Sequence, residues 1–70
     1  MADRYFHLYK ADRGTNRRMR FKVMGRSVII ESWEQKSANQ WTMLHEWMKT
    51  VETARLRWDN LVSSGWSVKA

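Results

Sequence analysis

The chain has 70 residues, with no Pro and no Cys, 43% hydrophobic residues and a formal net charge of +6. This length leaves room for a single domain, residues 1–70, which buries only about 60% of its unfolded surface, and the lack of Cys excludes disulfides, thiolate metal sites and thiol nucleophiles. No run approaches the roughly 18 apolar residues of a membrane span, and the N-terminus lacks a signal-peptide core, so we expect a cytoplasmic protein with no membrane partner.

The net charge is concentrated in the first third of the chain. Residues 1–26 contain eight Lys or Arg and two Asp, whereas residues 27–70 contain five cations and five anions. A distribution this uneven indicates a polyanionic partner. The competing interpretation is that the cations only keep a small basic domain soluble.

The first predicted element is a β-strand. Residues 4–10 (RYFHLYK) alternate between Phe6 and Leu8 on one face and three ring-bearing side chains on the other. Those three are Tyr5, His7 and Tyr9. Residues 11–16 (ADRGTN) have the composition of a turn, so a hairpin should follow.

The second predicted strand has the clearest alternation in the sequence. Its apolar face is Met19, Phe21 and Val23, and its cationic face is Arg18, Arg20 and Lys22. On a helix these cations would be spread around the cylinder, but on a strand they form one row. Gly25 and Arg26 predict a tight turn, and the β-branched residues 27–33 (SVIIESW) predict a third strand.

The C-terminal part predicts a helix that begins after Thr50. Thr50 can cap the N-terminus with Glu52 in the first turn, and apolar residues recur at helical spacing up to Val62. Gly65 predicts the end of the helix, after which Trp66 should fold back onto the sheet.

Residues 39–49 (NQWTMLHEWMK) allow two interpretations. Leu44 and Trp47 would extend the helical stripe upstream and give one helix of some 25 residues. Alternation from Trp41 to Met48 instead predicts a fourth strand buried on both faces. We favour the strand, because a helix that long would overhang a sheet of short strands at about 1.5 Å per residue.

The sequence therefore predicts an α+β fold, a small antiparallel sheet of three or four strands with one C-terminal helix packed on one face. We expect the core to contain apolar residues of every element. These are Phe6, Leu8, Met19, Phe21, Val23, Val28, Ile30, Leu44, Val51, Ala54, Trp58, Leu61 and Val62. Most of the five Trp should be buried, while Trp33 or Trp41 could be an exposed anchor for a partner.

No constellation of residues predicts an enzyme. His7 and His45 have no neighbouring thiol, metal-ligand pair or clustered carboxylates, and the three Gly are isolated, which excludes a phosphate-binding loop. We expect no catalytic activity, no metal and no cofactor.

The predicted function is non-enzymatic nucleic-acid binding by the basic and aromatic face of the hairpin. The phosphate-binding residues would be Arg17, Arg18, Arg20, Lys22 and Arg26, and the stacking residues would be Tyr5 and Tyr9. Rings stack on bases while cations follow the backbone, and a small sheet can also enter a duplex major groove. The sequence does not choose between DNA and RNA.

A different kind of function stays open beside this one. The surplus of Trp and Met in a short chain is also typical of a small adaptor or assembly protein that binds an acidic protein or forms a homodimer. Apart from either function, Lys and Arg on an exposed strand also protect it against edge-to-edge aggregation.

The C-terminal segment resembles a known family. The residues of TVETARLRWDNLVSSGW, from Thr50 to Trp66, are similar to the last helix of WGR domains, which closes with a Gly and an aromatic. RYFHLYK and VMGRSV resemble the family's first strand and its W-G-R segment, with Met24 where the Trp would be. WGR domains are nucleic-acid-associated modules in which a helix covers a sheet, so the resemblance implies that Gly25 and Arg26 lie at an interaction edge.

Two further similarities concern parts of this plan. The ending W..LV..GW also resembles that of a group of short uncharacterised cyanobacterial proteins, which implies no activity. Three strands followed by a helix is the plan of AP2-type DNA-binding domains too, but their motifs are absent here, and a shared fold does not carry function.

Overall fold

The computed structural model describes residues 4–68. It contains four strands and one helix: β1 (Arg4–Asp12), β2 (Thr15–Met24), β3 (Ser27–Ser37), β4 (Gln40–Thr50) and α1 (Val51–Ser63). The strands form one antiparallel sheet in the order β1-β2-β3-β4. The predicted α+β fold is confirmed, with residues 40–50 as a fourth strand.

Two tight turns set the register of the first three strands. Arg13 and Gly14 both have positive φ, 52° and 79°, as a two-residue hairpin turn of the most favoured kind requires. Gly25 has φ 61° at the first central position of the next turn, where Gly avoids the steric cost of that conformation. The predicted turn over residues 11–16 was too long, since only its two central residues lie outside the strands.

The helix begins and ends where the sequence predicts. The Thr50 hydroxyl accepts a hydrogen bond from the Thr53 N–H at 3.2 Å. At the C-terminus Gly65 has φ 101°, and the N–H of Trp66 donates to the carbonyl of Leu61 at 3.1 Å, which is the pattern of a Schellman cap. This cap turns the chain back toward the sheet.

The C-terminal return attaches to the β1 edge of the sheet. The Tyr9 N–H donates to the Ser67 carbonyl at 2.7 Å, and the Ser67 N–H donates to the Tyr9 carbonyl at 3.0 Å. Trp66 packs against the core in a half-buried position, as predicted. One edge of the sheet is therefore partly closed by the chain itself.

The core lies between α1 and one face of the sheet. Its buried apolar residues are Leu8, Met19, Phe21, Val28, Ile30 and Ala54. Half-buried side chains surround them, including Val23, Trp47, Trp58, Leu61 and Trp66. Trp58 joins helix to sheet through edge-to-face contacts with Phe21 (centroids 5.2 Å apart) and Phe6 (6.3 Å).

Four residues of the predicted core are exposed instead: Phe6, Leu44, Val51 and Val62. Leu44 is exposed because β4 is an edge strand with a bulge opposite Ser32 and Trp33, so the prediction that this strand is buried on both faces was wrong. Val51 and Val62 lie to one side of Ala54 on α1, at the margin of the contact between helix and sheet. Among residues 4–68, no helix is long and apolar enough to cross a membrane.

Candidate nucleic-acid interface

The face of the sheet opposite α1, here called the open face, is covered by no other helix or strand of residues 4–68. The register of β1 with β2 brings the predicted rings and cations together on it. The directly opposed pairs are Tyr5 with Lys22, His7 with Arg20 and Tyr9 with Arg18. Five of the seven predicted site residues thus lie side by side on one surface.

Aromatic rings from β1, β3 and β4 alternate with cations from β2 across the open face. This arrangement is here called the cation–aromatic ladder. Its members, in spatial order, are Trp41, Arg18, Trp33, Arg20, Tyr5 and Lys22. Each neighbouring cation and ring lie within the roughly 6 Å over which a cation is attracted to the face of an aromatic ring.

The closest contacts of the ladder involve Arg18. Its guanidinium carbon lies 4.8 Å from the ring centroid of Trp41 and 5.3 Å from that of Trp33. The Nε of Arg18 is buried and has no hydrogen-bond partner within residues 4–68. This guanidinium is therefore held in place by packing against two indole rings. It is not held by a carboxylate of residues 4–68.

Arg20 is anchored differently, by a buried acid. Its Nε donates to the Glu31 carboxylate at 2.5 Å, and the Trp33 Nε1 donates to the same oxygen at 3.1 Å. The hydrogen bond from Arg20 and then that from Trp33 hold the pKa of Glu31 below its usual range, against the opposing effect of burial. The same carboxylate raises the pKa of Arg20. Glu31 thus neutralises one of the three β2 cations that lie on the open face.

His7 lies in the cationic part of the open face. Burial lowers its pKa below the usual value of 6.5, and the charges of Arg18 and Arg20 lower it further. Its ring stacks on that of Tyr9, with centroids 6.1 Å apart and planes inclined by 21°. At neutral pH the residue is therefore an uncharged ring beside the ladder.

The two remaining predicted cations lie off the open face. Arg17 opposes Lys10 and Glu34 on the helix side of the sheet, but it lines a depression of about 530 Å³ at the strand ends together with Tyr9 and Trp41. Arg26 occupies the exposed turn between β2 and β3. Arg17 is thus at the rim of the candidate interface, and Arg26 is at the far end of β2.

Three members of the site were absent from the predicted nucleic-acid-binding residues: Glu31, Trp33 and Trp41, of which the two Trp were predicted only as an exposed anchor for a partner. The signal for two of them was present, because a two-residue turn at Gly25 and Arg26 fixes Arg20 opposite Glu31 and Arg18 opposite Trp33. Trp41 had no such signal. Its place opposite Gln35 depends on the bulge in the pairing of β3 with β4.

Within residues 4–68, no three His, Asp or Glu side chains are grouped so that they could hold a metal ion. Of the acids in residues 4–68, those that border the open face are Glu31, which is paired with Arg20, and Glu46, which opposes Glu31 across the strands. Charge on this surface is therefore dominated by cations and suits an anionic ligand.

Comparison of the chain with protein-family models, with curated proteins and with solved structures finds no match. The resemblance to WGR domains stays a prediction.

Proposed function

We propose that this protein is a small, non-enzymatic nucleic-acid-binding module and that the open face is its interface. The observation that carries the proposal is the cation–aromatic ladder, which places three rings and three cations on one uncovered surface. This surface offers both of the groups that a nucleic acid requires, since rings stack on bases and cations contact phosphates.

The position of the cations argues against a merely protective role. Lys and Arg protect a sheet against aggregation when they lie on an edge strand. Arg18, Arg20 and Lys22 lie on β2, which is paired on both sides. Protection of an edge therefore does not explain them.

Single-stranded nucleic acid fits this surface best. Each contact between a cation and a half-exposed ring stabilises the ladder by about 0.5–1 kcal/mol, whereas a base stacked on an aromatic side chain contributes about 1–3 kcal/mol. Exchange of a guanidinium for a base on an indole, with the guanidinium moving to a phosphate, is therefore favourable. Tyr5, 46% exposed, is the most accessible ring for the first base.

The test is the binding of labelled oligonucleotides to the whole chain, measured by fluorescence anisotropy at salt concentrations from about 50 to 200 mM. We expect binding of single-stranded DNA or RNA with a log–log slope of roughly −2, because about three phosphate contacts on a single strand each contribute about −0.7. Tighter binding of duplex would contradict the stacking geometry.

Failure to bind any oligonucleotide at the lowest salt would reject the proposal. The cations would then serve the alternative function, which is binding of an acidic protein. Carboxylates on such a protein can form ion pairs with the same guanidinium groups, and no stacking of bases on the rings is required. A homopolymer series of single-stranded DNA and RNA in the same assay shows whether the 2′-hydroxyl contributes.

Glu31→Gln should lower the stability of the fold and raise the affinity for nucleic acid. Loss of the charged acceptor should reduce the free energy of unfolding by about 1–2 kcal/mol, while removal of the carboxylate that competes with phosphate for Arg20 should tighten binding by about three- to tenfold at low salt. Since the folded pKa of Glu31 is lowered, its stabilisation is complete above the unfolded pKa, about 4.3, and is lost as pH falls through the folded pKa. The variant should lack this acid-dependent loss.

Glu46→Gln is the matched control, because it changes the net charge equally and the Glu46 side chain is exposed opposite Glu31. It should leave stability within about 0.5 kcal/mol of wild type and tighten binding less than Glu31→Gln does. Equal affinities for the two variants would show that net charge alone acts and that Arg20 does not reach the ligand.

A further inference from the structure

A second surface lies on the opposite side of the sheet from the open face. Between α1 and strands β1 to β3 runs an apolar groove of about 410 Å³, lined by Phe6, Phe21, Val23, Val28, Val51 and Trp58 among others. Two of these, Phe6 and Val51, are 46% and 37% exposed. Both of these residues were predicted to be buried in the core, so the groove exposes apolar surface that a single copy of the chain does not cover.

The apolar stripe of this surface continues along the helix. Val51, Trp58 and Val62 recur at intervals of seven and four residues, which places them along one side of α1. Val62 is 48% exposed. A chain this short buries apolar surface inefficiently, so an exposed stripe beside a groove indicates a surface that another protein covers.

Two opposite charges of α1, Arg55 and Asp59, lie on the rim of the groove. They are four residues apart on the same side of α1 as the stripe, and neither forms an ion pair within the part of the chain that the structure describes. When two copies of α1 cross antiparallel about a twofold axis at the height of residue 57 along the helix, Arg55 of each copy meets Asp59 of the other. The same axis brings Val51 of each copy close to Val62 of the other.

We propose that the groove and the exposed side of α1 form a homodimer interface, with α1 of one copy packed antiparallel against α1 of its partner. The charge pattern selects this occupant, because the surface is complementary to itself under a twofold rotation, as an isologous interface must be. The dimer leaves both open faces uncovered, and it does not depend on nucleic-acid binding.

Sedimentation equilibrium of the whole chain between about 1 and 500 µM, the range of moderate and weak dimers, tests the proposal. Wild type should change from the monomer mass of 8.5 kDa to twice that mass. Arg55→Asp places like charges at both symmetric contacts and should raise the dimer dissociation constant at least about tenfold. A wild-type chain that stays monomeric throughout would overturn the proposal.

The charge swap Arg55→Asp with Asp59→Arg provides the decisive control. It restores both contacts with reversed polarity and suits the helix dipole, so the dissociation constant should return to within about threefold of wild type if the two positions are coupled. Arg13→Asp changes the charge equally in a turn that favours Asp before Gly, and it should not affect dimerisation. A swap variant as weak as Arg55→Asp would exclude this helix pairing, as would an equal effect of Arg13→Asp.

Discussion

Trp58→Ala should reduce the free energy of unfolding by about 3 kcal/mol, near the lower limit for the loss of a large aromatic because the side chain is half-buried. Trp58 connects α1 to the sheet by edge-to-face contacts with Phe21 and Phe6. Its removal widens the groove between α1 and the sheet and abolishes both ring contacts. In a domain of this size the loss corresponds to a melting temperature about 15 °C lower.

Urea unfolding followed by far-ultraviolet circular dichroism, at one low protein concentration so that self-association does not contribute, measures this effect. Leu56→Ala is the control on the same helix, since Leu56 is 66% exposed and its truncation should change stability by less than about 0.5 kcal/mol. Trp58→Phe keeps an aromatic edge and should lie between the two. If Trp58→Ala and Leu56→Ala unfold at the same urea concentration, the helix is not held to the sheet by this residue.

Much of the fold followed from local patterns. The alternation of Met19, Phe21 and Val23 with cations defined β2 because a strand with one buried face must repeat every two residues. Thr50 and Gly65 marked the ends of α1 because capping is a local backbone requirement. These signals lie within a few residues of the feature that they determine.

The core was predicted less well because burial depends on how far one element extends over another. Val51 and Val62 have the spacing of buried residues, yet α1 leaves them beside the groove. Spacing along a helix shows which residues share a side, but it does not show where the helix lies on the sheet. The bulge in β4 reversed the alternation near Leu44 for a similar reason, since it arises from the pairing with β3.

Some contacts of the candidate site could likewise be predicted from the sequence, and others could not. The opposition of Tyr5 to Lys22 and of Tyr9 to Arg18 follows from the turn at Arg13 and Gly14. The neutralisation of Arg20 by Glu31 follows from the next turn, but only once the length of that turn is known. Contacts set by the registers of the first two hairpins could thus be predicted from the sequence. The position of Trp41 could not, because it depends on the irregular pairing of β3 with β4.

Replacement of Arg18, Arg20 and Lys22 together by Gln should weaken binding of single-stranded nucleic acid by about a hundredfold at 0.1 M salt, because about three phosphate contacts disappear. The log–log salt slope should become less steep by about 2, since each lost contact on a single strand contributes about 0.7. Anisotropy with the same oligonucleotides measures both quantities. A loss of affinity without a change of slope would indicate misfolding and not lost phosphate contacts.

Two variants make this result interpretable. Arg4, Lys36 and Arg57 are exposed cations that lie off the open face, so their joint replacement by Gln removes the same charge and should reduce affinity by less than about tenfold. The double change Arg18→Gln with Lys22→Gln keeps the ion pair of Arg20 with Glu31, so it should retain the fold and still remove two contacts. If the off-face triple variant weakens binding as much as the open-face triple variant, the ligand responds only to net charge. The ladder would then be a packing feature of the sheet, and the open face would lose its assignment.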